Sequence, residues 1–406
     1  MNDSLLHTQS LKVGYGGHCV VDGVDIDALR GSMICLLGPN GSGKSTILRT
    51  LSGMLDPVGG TVYLEDIEVP KIRKSKLARR MAVVLTNRLQ PGLMTAFEIA
   101  AMGRHPYTGF FGKLRQADID IVYTALRSVK AEYLADRYYD ELSDGEKQKI
   151  MIARALAQEP EVIVLDEPTS HLDISHRVDV VEILARQCRE RRITVIMALH
   201  DIDLALKACQ VVLLVKNGRI VAQGPPEQIV SQGVVQDLYE ISGAEYNDLL
   251  GSLEIGSHGR SDLFITGGAG SGIPVFRALR RAGFGMDCGV LHQSDVDAHV
   301  AKALCNRLVT ESDFQFISDQ KYREAYQLMQ SQRVVVDTGF PTGETNKKNS
   351  ELLVKALESG KQVFTLRSES EGFYPDNGQR PIYCQGVSDL VENIKSLDDT
   401  RKEAVR

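Results

Sequence analysis

Short, almost wholly apolar runs alternate with longer mixed stretches along most of the chain. "MICLL" (33–37), "VIVL" (162–165) and "ITVIMAL" (193–199) are too short for helices and rich in branched residues. They predict strands buried on both faces, with helical patterns between them. From residue 1 to 247 this alternation predicts an α/β domain. A second, smaller α/β pattern spans 262–398. Its predicted strands are "DLFIT", "CGVLH", "RVVVDTG", "QVFTL" and "PIYCQG", and "IPVFRALRRAG" and "SELLVKALESG" are helices. Such alternation implies parallel sheets with right-handed crossovers. Residues 248–261, "DLLGSLEIGSHGRS", hold no sustained period and are expected to be a linker. The polar tail "SLDDTRKEAVR" is expected to fray.

Composition narrows the class. The chain has 406 residues, 43% apolar and 25% charged, as for a globular protein of two domains. Its net charge of −6 gives no support to nucleic-acid binding. Seven cysteines lie scattered from Cys19 to Cys384 without a CxxC spacing, which suits reduced thiols in a cytosolic protein. No signal-peptide pattern opens the sequence, and runs such as "VVLLV" are far shorter than the roughly 20 residues that span a bilayer. The chain itself is expected to dock on a membrane at most.

The chemistry concentrates after the first buried strand. Gly38-Pro39-Asn40-Gly41-Ser42-Gly43-Lys44-Ser45-Thr46 fits G-x-x-x-x-G-K-[ST] between a strand and a helix. Glycines let the backbone N–H groups wrap a phosphate, and the helix N-terminus adds partial positive charge. Lys44 is expected on the terminal phosphates of ATP and the Ser45 hydroxyl on Mg²⁺. The strand at 162–165 ends in Asp166 and Glu167. Paired carboxylates at a strand end are usually a solvated turn. Beside a phosphate loop they suggest a Mg²⁺ partner (Asp166) and a group that polarises the attacking water (Glu167). His200 ends another strand and is expected near the γ-phosphate and the water.

Together these elements resemble the nucleotide-binding subunit of an ATP-binding cassette (ABC) transporter over residues 9–245. The resemblance implies a P-loop cassette fold with a helical subdomain at about 90–160. It places Tyr15 of "KVGYGG" against adenine, Asp173 of "SHLD" in the D-loop and His200 as the switch histidine. "ELSDGEKQK" (141–149) stands where the family carries its signature. Ser143 and Gly145 would then close over the γ-phosphate held by a second cassette, so two cassettes are needed for ATP hydrolysis. The signature reads LSDGE rather than LSGGQ. The position of the Q-loop glutamine holds Thr86, a candidate Mg²⁺ ligand of shorter reach, with Gln90 four residues later. "GRHPYTGFFGKL" resembles the subgroup serving importers of ferric siderophores, haem and cobalamin. Met94, Phe97, Tyr107, Phe110 and Phe111 would offer apolar area to a transmembrane permease at the cytoplasmic face, with a substrate-binding protein completing the system.

The second domain resembles a Rossmann-like unit. Gly267, Gly268, Gly270 and Gly272 follow its first strand, yet Ile273 stands where a third fingerprint glycine belongs, and His292 where an acid would bind ribose. "HQSDVDAH" offers His292, Asp295, Asp297 and His299 to a metal, but a cap by Ser294 or Asp295 explains the same residues. Asp337, Gly339 and Thr342 mark another strand end where a ligand would sit. Two other readings stay open. A non-transport cassette is one, although the spacing from Lys44 to Ser143 leaves no room for a long coiled coil and only one nucleotide domain is present. The other is a cassette fused to an enzyme that processes the cargo.

Overall fold

The computed structural model describes residues 4–85, 91–108, 112–229, 234–240, 244–247, 250–256, 259, 261–375 and 379–405, with side chains to 397. They form two units, Met1–Tyr239 and Glu240–Arg406. The boundary thus falls before residue 247.

In the first unit five strands run parallel, in the order Val211–Lys216, Met33–Leu37, Thr194–Ala198, Val162–Asp166 and Met81–Val84. Arg219–Gly224 pairs antiparallel with Val211–Lys216 and parallel with His18–Val24, and from His18–Val24 the sheet continues antiparallel through Ser4–Tyr15, Gly59–Leu64 and Ile67–Glu68. Met33–Leu37 is buried at every position. Met33, Cys35 and Leu37 feed one core and Ile34 and Leu36 the other, because successive strand side chains point to opposite faces. Burial on both faces is why these strands read as unbroken apolar runs. The helices Ala96–Ala101, Gln116–Ser128 and Asp144–Ala157 form the helical subdomain, joined by Ile99, Val122, Leu126 and Ile150.

The second unit is a six-stranded parallel sheet in the order Arg307–Glu311, Gly285–His292, Ser261–Thr266, Val334–Asp337, Gln362–Thr365, Ile382–Tyr383. The chain builds outward from Ser261–Thr266 in one direction and then in the other. This is the strand order of the dinucleotide-binding fold, reversing beside Ser261–Thr266.

Two expectations need correction here, and one strand goes beyond those the sequence predicts. The supposed linker at 248–261 holds a strand, Ser252–Ile255, which forms a hairpin with Ala244–Asn247 just before it. Its inward residue is Glu254, held by Arg277, so the apolar alternation is inverted and leaves no strand signal. The edge strand Arg307–Glu311 was not expected, because only Val309 is fully buried and charges flank it. The tail from 396 is not irregular in its backbone: the helix Val387–Val405 runs through it.

Candidate nucleotide site

Gly38–Thr46 joins the buried strand Met33–Leu37 to the helix Lys44–Leu51. Gly43 ends the loop at φ +105°, where a Cβ would lie 2.3 Å from Val21 Cγ2, so no other residue fits without displacement. Asn40 and Gly41 lie exposed at the crest, and Ser42, Lys44 and Thr46 are buried. Lys44 Nζ donates to the carbonyls of Gly38 (2.7 Å) and Pro39 (3.0 Å). Burial lowers its pKa, against the pull of the Glu167 and Asp166 charges. Lys44 is thus drawn towards its own loop and the two carboxylates.

Asp166 ends Val162–Asp166, the parallel strand next but one to Met33–Leu37 in the sheet, and Ser45 Oγ donates to its Oδ1 at 2.9 Å. A hydroxyl and a carboxylate oxygen this close are the hard donors that suit Mg²⁺. Glu167 adopts a left-handed backbone, φ +51°, a conformation that costs about 1–2 kcal/mol outside glycine and is found where structure over-determines a residue. Its Oε1 lies 2.6 Å from His200 Nε2 and its Oε2 accepts from Ser170 Oγ at 3.0 Å. Burial pushes the Glu167 carboxyl up, but the bonds from His200 and Ser170 outweigh it and hold the pKa below the usual range. Glu167 is therefore ionised at neutral pH. Ser170 was missed in the sequence, although it stands three residues after Glu167 in "DEPTS".

At the signature, Ser143 caps the helix Asp144–Ala157, its Oγ accepting from Glu146 N (3.3 Å) while Glu146 Oε2 accepts from Ser143 N (2.9 Å). Glu146, which replaces the family's glutamine, is thus half of a capping box. The S-x-x-E spacing was the signal that could have revealed it. The backbone bond from Ser143 lowers the Glu146 pKa. Gly145 is needed because a Cβ there would lie 2.3 Å from His176. His176 in turn bonds Asp173, whose carboxylate caps the helix Ile174–Arg191. The signature and D-loop are therefore linked within one chain.

Tyr15 ends its strand and is 45% exposed. Thr86 and Gln90 lie outside the described residues, as do Phe110 and Phe111. Tyr107 is not a free aromatic: its hydroxyl donates to Gln158 O (3.0 Å) and its ring lies under Arg104 (4.0 Å). Met94 and Phe97 line a groove of about 250 Å³ with Met102 and Leu114.

The glycine turn of the second unit is closed from within. Asp297 Oδ2 accepts from Gly268 N (2.7 Å) and Gly272 N (2.8 Å), and Oδ1 from Ile273 N (3.1 Å). Asp295 accepts from Ala269 N (2.9 Å) and caps the helix Val296–Leu304. Burial raises the Asp297 pKa despite these donors. His292 bonds Gln315 O (2.9 Å), so the "HQSDVDAH" groups do not converge on a metal. Among the described residues no three His, Cys, Asp or Glu side chains do. Asp337 is buried and accepts from Thr365, Arg367 and Tyr374, each at 2.8 Å, and from Gly339 N at 3.0 Å. Thr342 lies exposed beyond it.

Comparison with known proteins agrees with this architecture. Residues 21–170 match the ABC transporter family and residues 286–398 the MJ0874 family. An uncharacterized ABC transporter ATP-binding protein of Methanocaldococcus jannaschii is 43% identical over 277 residues, covering 68% of this chain and 96% of that protein. The cobalamin import ATP-binding protein BtuD of Halobacterium salinarum is 30% identical over 408 residues, covering 98% of this chain and 100% of that protein. The structure of cbiO1 from Clostridium perfringens, part of the ABC transporter complex cbiONQ, superposes with a TM-score of 0.52 at 30% identity, over 58% of this chain and 94% of that one. Among the described residues no helix is long and apolar enough to cross a membrane. With a phosphate loop, a carboxylate-ended strand in the same parallel sheet and a capped signature helix in one fold, the chain belongs to the family of ABC transporter ATP-binding proteins, which are ATP-hydrolysing cassettes.

Proposed function

We propose that this chain is the ATP-hydrolysing subunit of an ABC importer for cobalamin, or for an iron complex or haem. It would work as a pair of cassettes on a membrane permease at the cytoplasmic face, with a substrate-binding protein delivering the cargo. The observation that carries the reading is the relative named as a cobalamin importer ATPase, whose similarity runs through both units, covering 98% of this chain. The groove beside Met94 and Phe97 offers the apolar area a permease helix would cover.

The residues support these roles. Gly38–Thr46 turns backbone donors towards the phosphates of ATP, and Lys44 leaves its loop carbonyls to bind them. Tyr15 stacks on adenine. Ser45 and Asp166 would hold Mg²⁺, which neutralises phosphate charge when bound. Glu167, ionised and oriented by His200 and Ser170, accepts the proton of the attacking water. Ser143, Gly145 and Asp173 of one copy complete the site of the other.

Glu167→Gln tests the mechanism: turnover should fall by at least about a hundredfold while ATP stays bound. Hydrolysis at the native rate would remove Glu167 from that role. Reconstituted with its permease, the native chain should drive ATP-dependent cobalamin uptake. Uptake of a ferric hydroxamate or haem instead would move the cargo and leave the mechanism standing.

A further inference from the structure

A groove of about 670 Å³ runs beside the helix Gly272–Arg281 of the second unit. This is the volume of a site for one small organic molecule. Leu253 and Ile255 of the hairpin, with Leu304 and Val387, give it apolar walls. Its charges do not balance. Arg277, Arg280 and Arg281 line it, and the one carboxylate among the lining residues is Glu254. That carboxylate is taken: Arg277 Nε donates to Glu254 Oε2 at 3.0 Å, and Nη2 bonds the other oxygen.

Arg280 is left over. It is 8% exposed, and its Nε and Nη2 have no hydrogen-bond partner among the described residues. Nε and Nη2 form the side of a guanidinium that grips a carboxylate or phosphate with two parallel bonds. Two other arginines of this unit use that same pair of nitrogens: Arg277 on Glu254, and Arg307 on the buried Asp287 (3.1 and 2.6 Å). An arginine keeps its charge, so burial without an acceptor is unfavourable, and burial does lower the Arg280 pKa. Val387 and Ser388, which also line the groove, open the helix Val387–Val405, whose N-terminus favours an anion.

We propose that this groove binds a small amphipathic anion, with one carboxylate or phosphate head set against Arg280, Arg281 and the first turn of the Val387–Val405 helix, and an apolar body lying along Leu253, Ile255 and Leu304. The site is separate from the ATP site and independent of the cargo assigned above.

Calorimetric titration of the full chain tests it with four probes: octanoate, octyl phosphate, inorganic phosphate and octanol. Octanoate or octyl phosphate should bind saturably at one per chain, the tighter of the two identifying the head. Phosphate alone and octanol should bind at least tenfold more weakly at this site. Arg280→Gln should weaken binding at least tenfold. Ile255→Glu, which sets a carboxylate on an exposed position of the rim, should weaken it also, and decides the matter if Arg280→Gln does not fold. Lys44→Ala should leave it unchanged. The proposal is overturned if neither amphiphile saturates, if octanol binds as well as octanoate, if Ile255→Glu binds as the native chain does, or if Lys44→Ala abolishes binding.

Discussion

Two glycine-rich turns in this protein share one local design and meet opposite fates. Each follows a buried parallel strand and opens a helix, Gly38–Thr46 in the first unit and Gly267–Gly272 in the second. In the first, the strand next but one in the sheet brings Asp166 up to Ser45, while Lys44 rests on the loop carbonyls. In the second, the residues after the neighbouring strand Gly285–His292 put Asp297 into the turn, where its carboxylate takes three backbone donors. A ring of inward N–H groups is an anion site in either case. What differs is whether the protein supplies the anion itself. The second turn therefore has its donors taken up by a carboxylate of its own unit.

The difference can be broken most forcefully from the second unit. Asp297→Ala leaves three backbone donors without an acceptor, and the two buried ones, Gly268 N and Gly272 N, cost about 1–3 kcal/mol each. Hydrogen exchange over residues 262–281 should quicken accordingly, and added sulfate should restore part of the protection by filling the turn. Unchanged exchange would mean that the carboxylate does not hold the turn. Lys44→Ala works on the other side. The loss of one charge-assisted phosphate contact, about 1.5–3 kcal/mol, should weaken ATP binding roughly ten- to a hundredfold, as read by titration with a fluorescent ATP analogue, with protection over 262–281 unaltered. The smallest effect is one of pH. Backbone donors from Ser318 and Ser312 hold the Glu311 carboxyl down at about 2, against an ordinary 4.5. A depressed folded-state value contributes stability above about 4.5, lost as pH falls towards about 2. In acid denaturation of the second unit, Glu311→Gln should flatten the slope in that window, and the cassette unit should show no change.

Much of the first unit was legible because its signals are local. The phosphate loop, the carboxylates after Val162–Leu165, and His200 after a branched strand each sit in a short span whose geometry follows from strand and helix periods. The second unit hid more. Its hairpin buries a glutamate where a strand pattern demands an apolar residue, and its edge strand is flanked by charge. "HQSDVDAH" could be read as a metal group or a cap. Asp295 does cap, but nothing in the local sequence shows that Asp297 turns into a loop 25 to 29 residues earlier.

The sequence alone determined the kind of chain this is: buried strands, a phosphate loop in strand–turn–helix context, and the residue types at the strand ends. Tertiary structure decided the pairings, such as Ser45 with Asp166, Glu167 with His200, and Asp297 with the second turn. Periodicity fixes which way a side chain points from its own element. Which donors it meets depends on which strand ends the sheet order lays side by side, and that is settled only when the whole core packs.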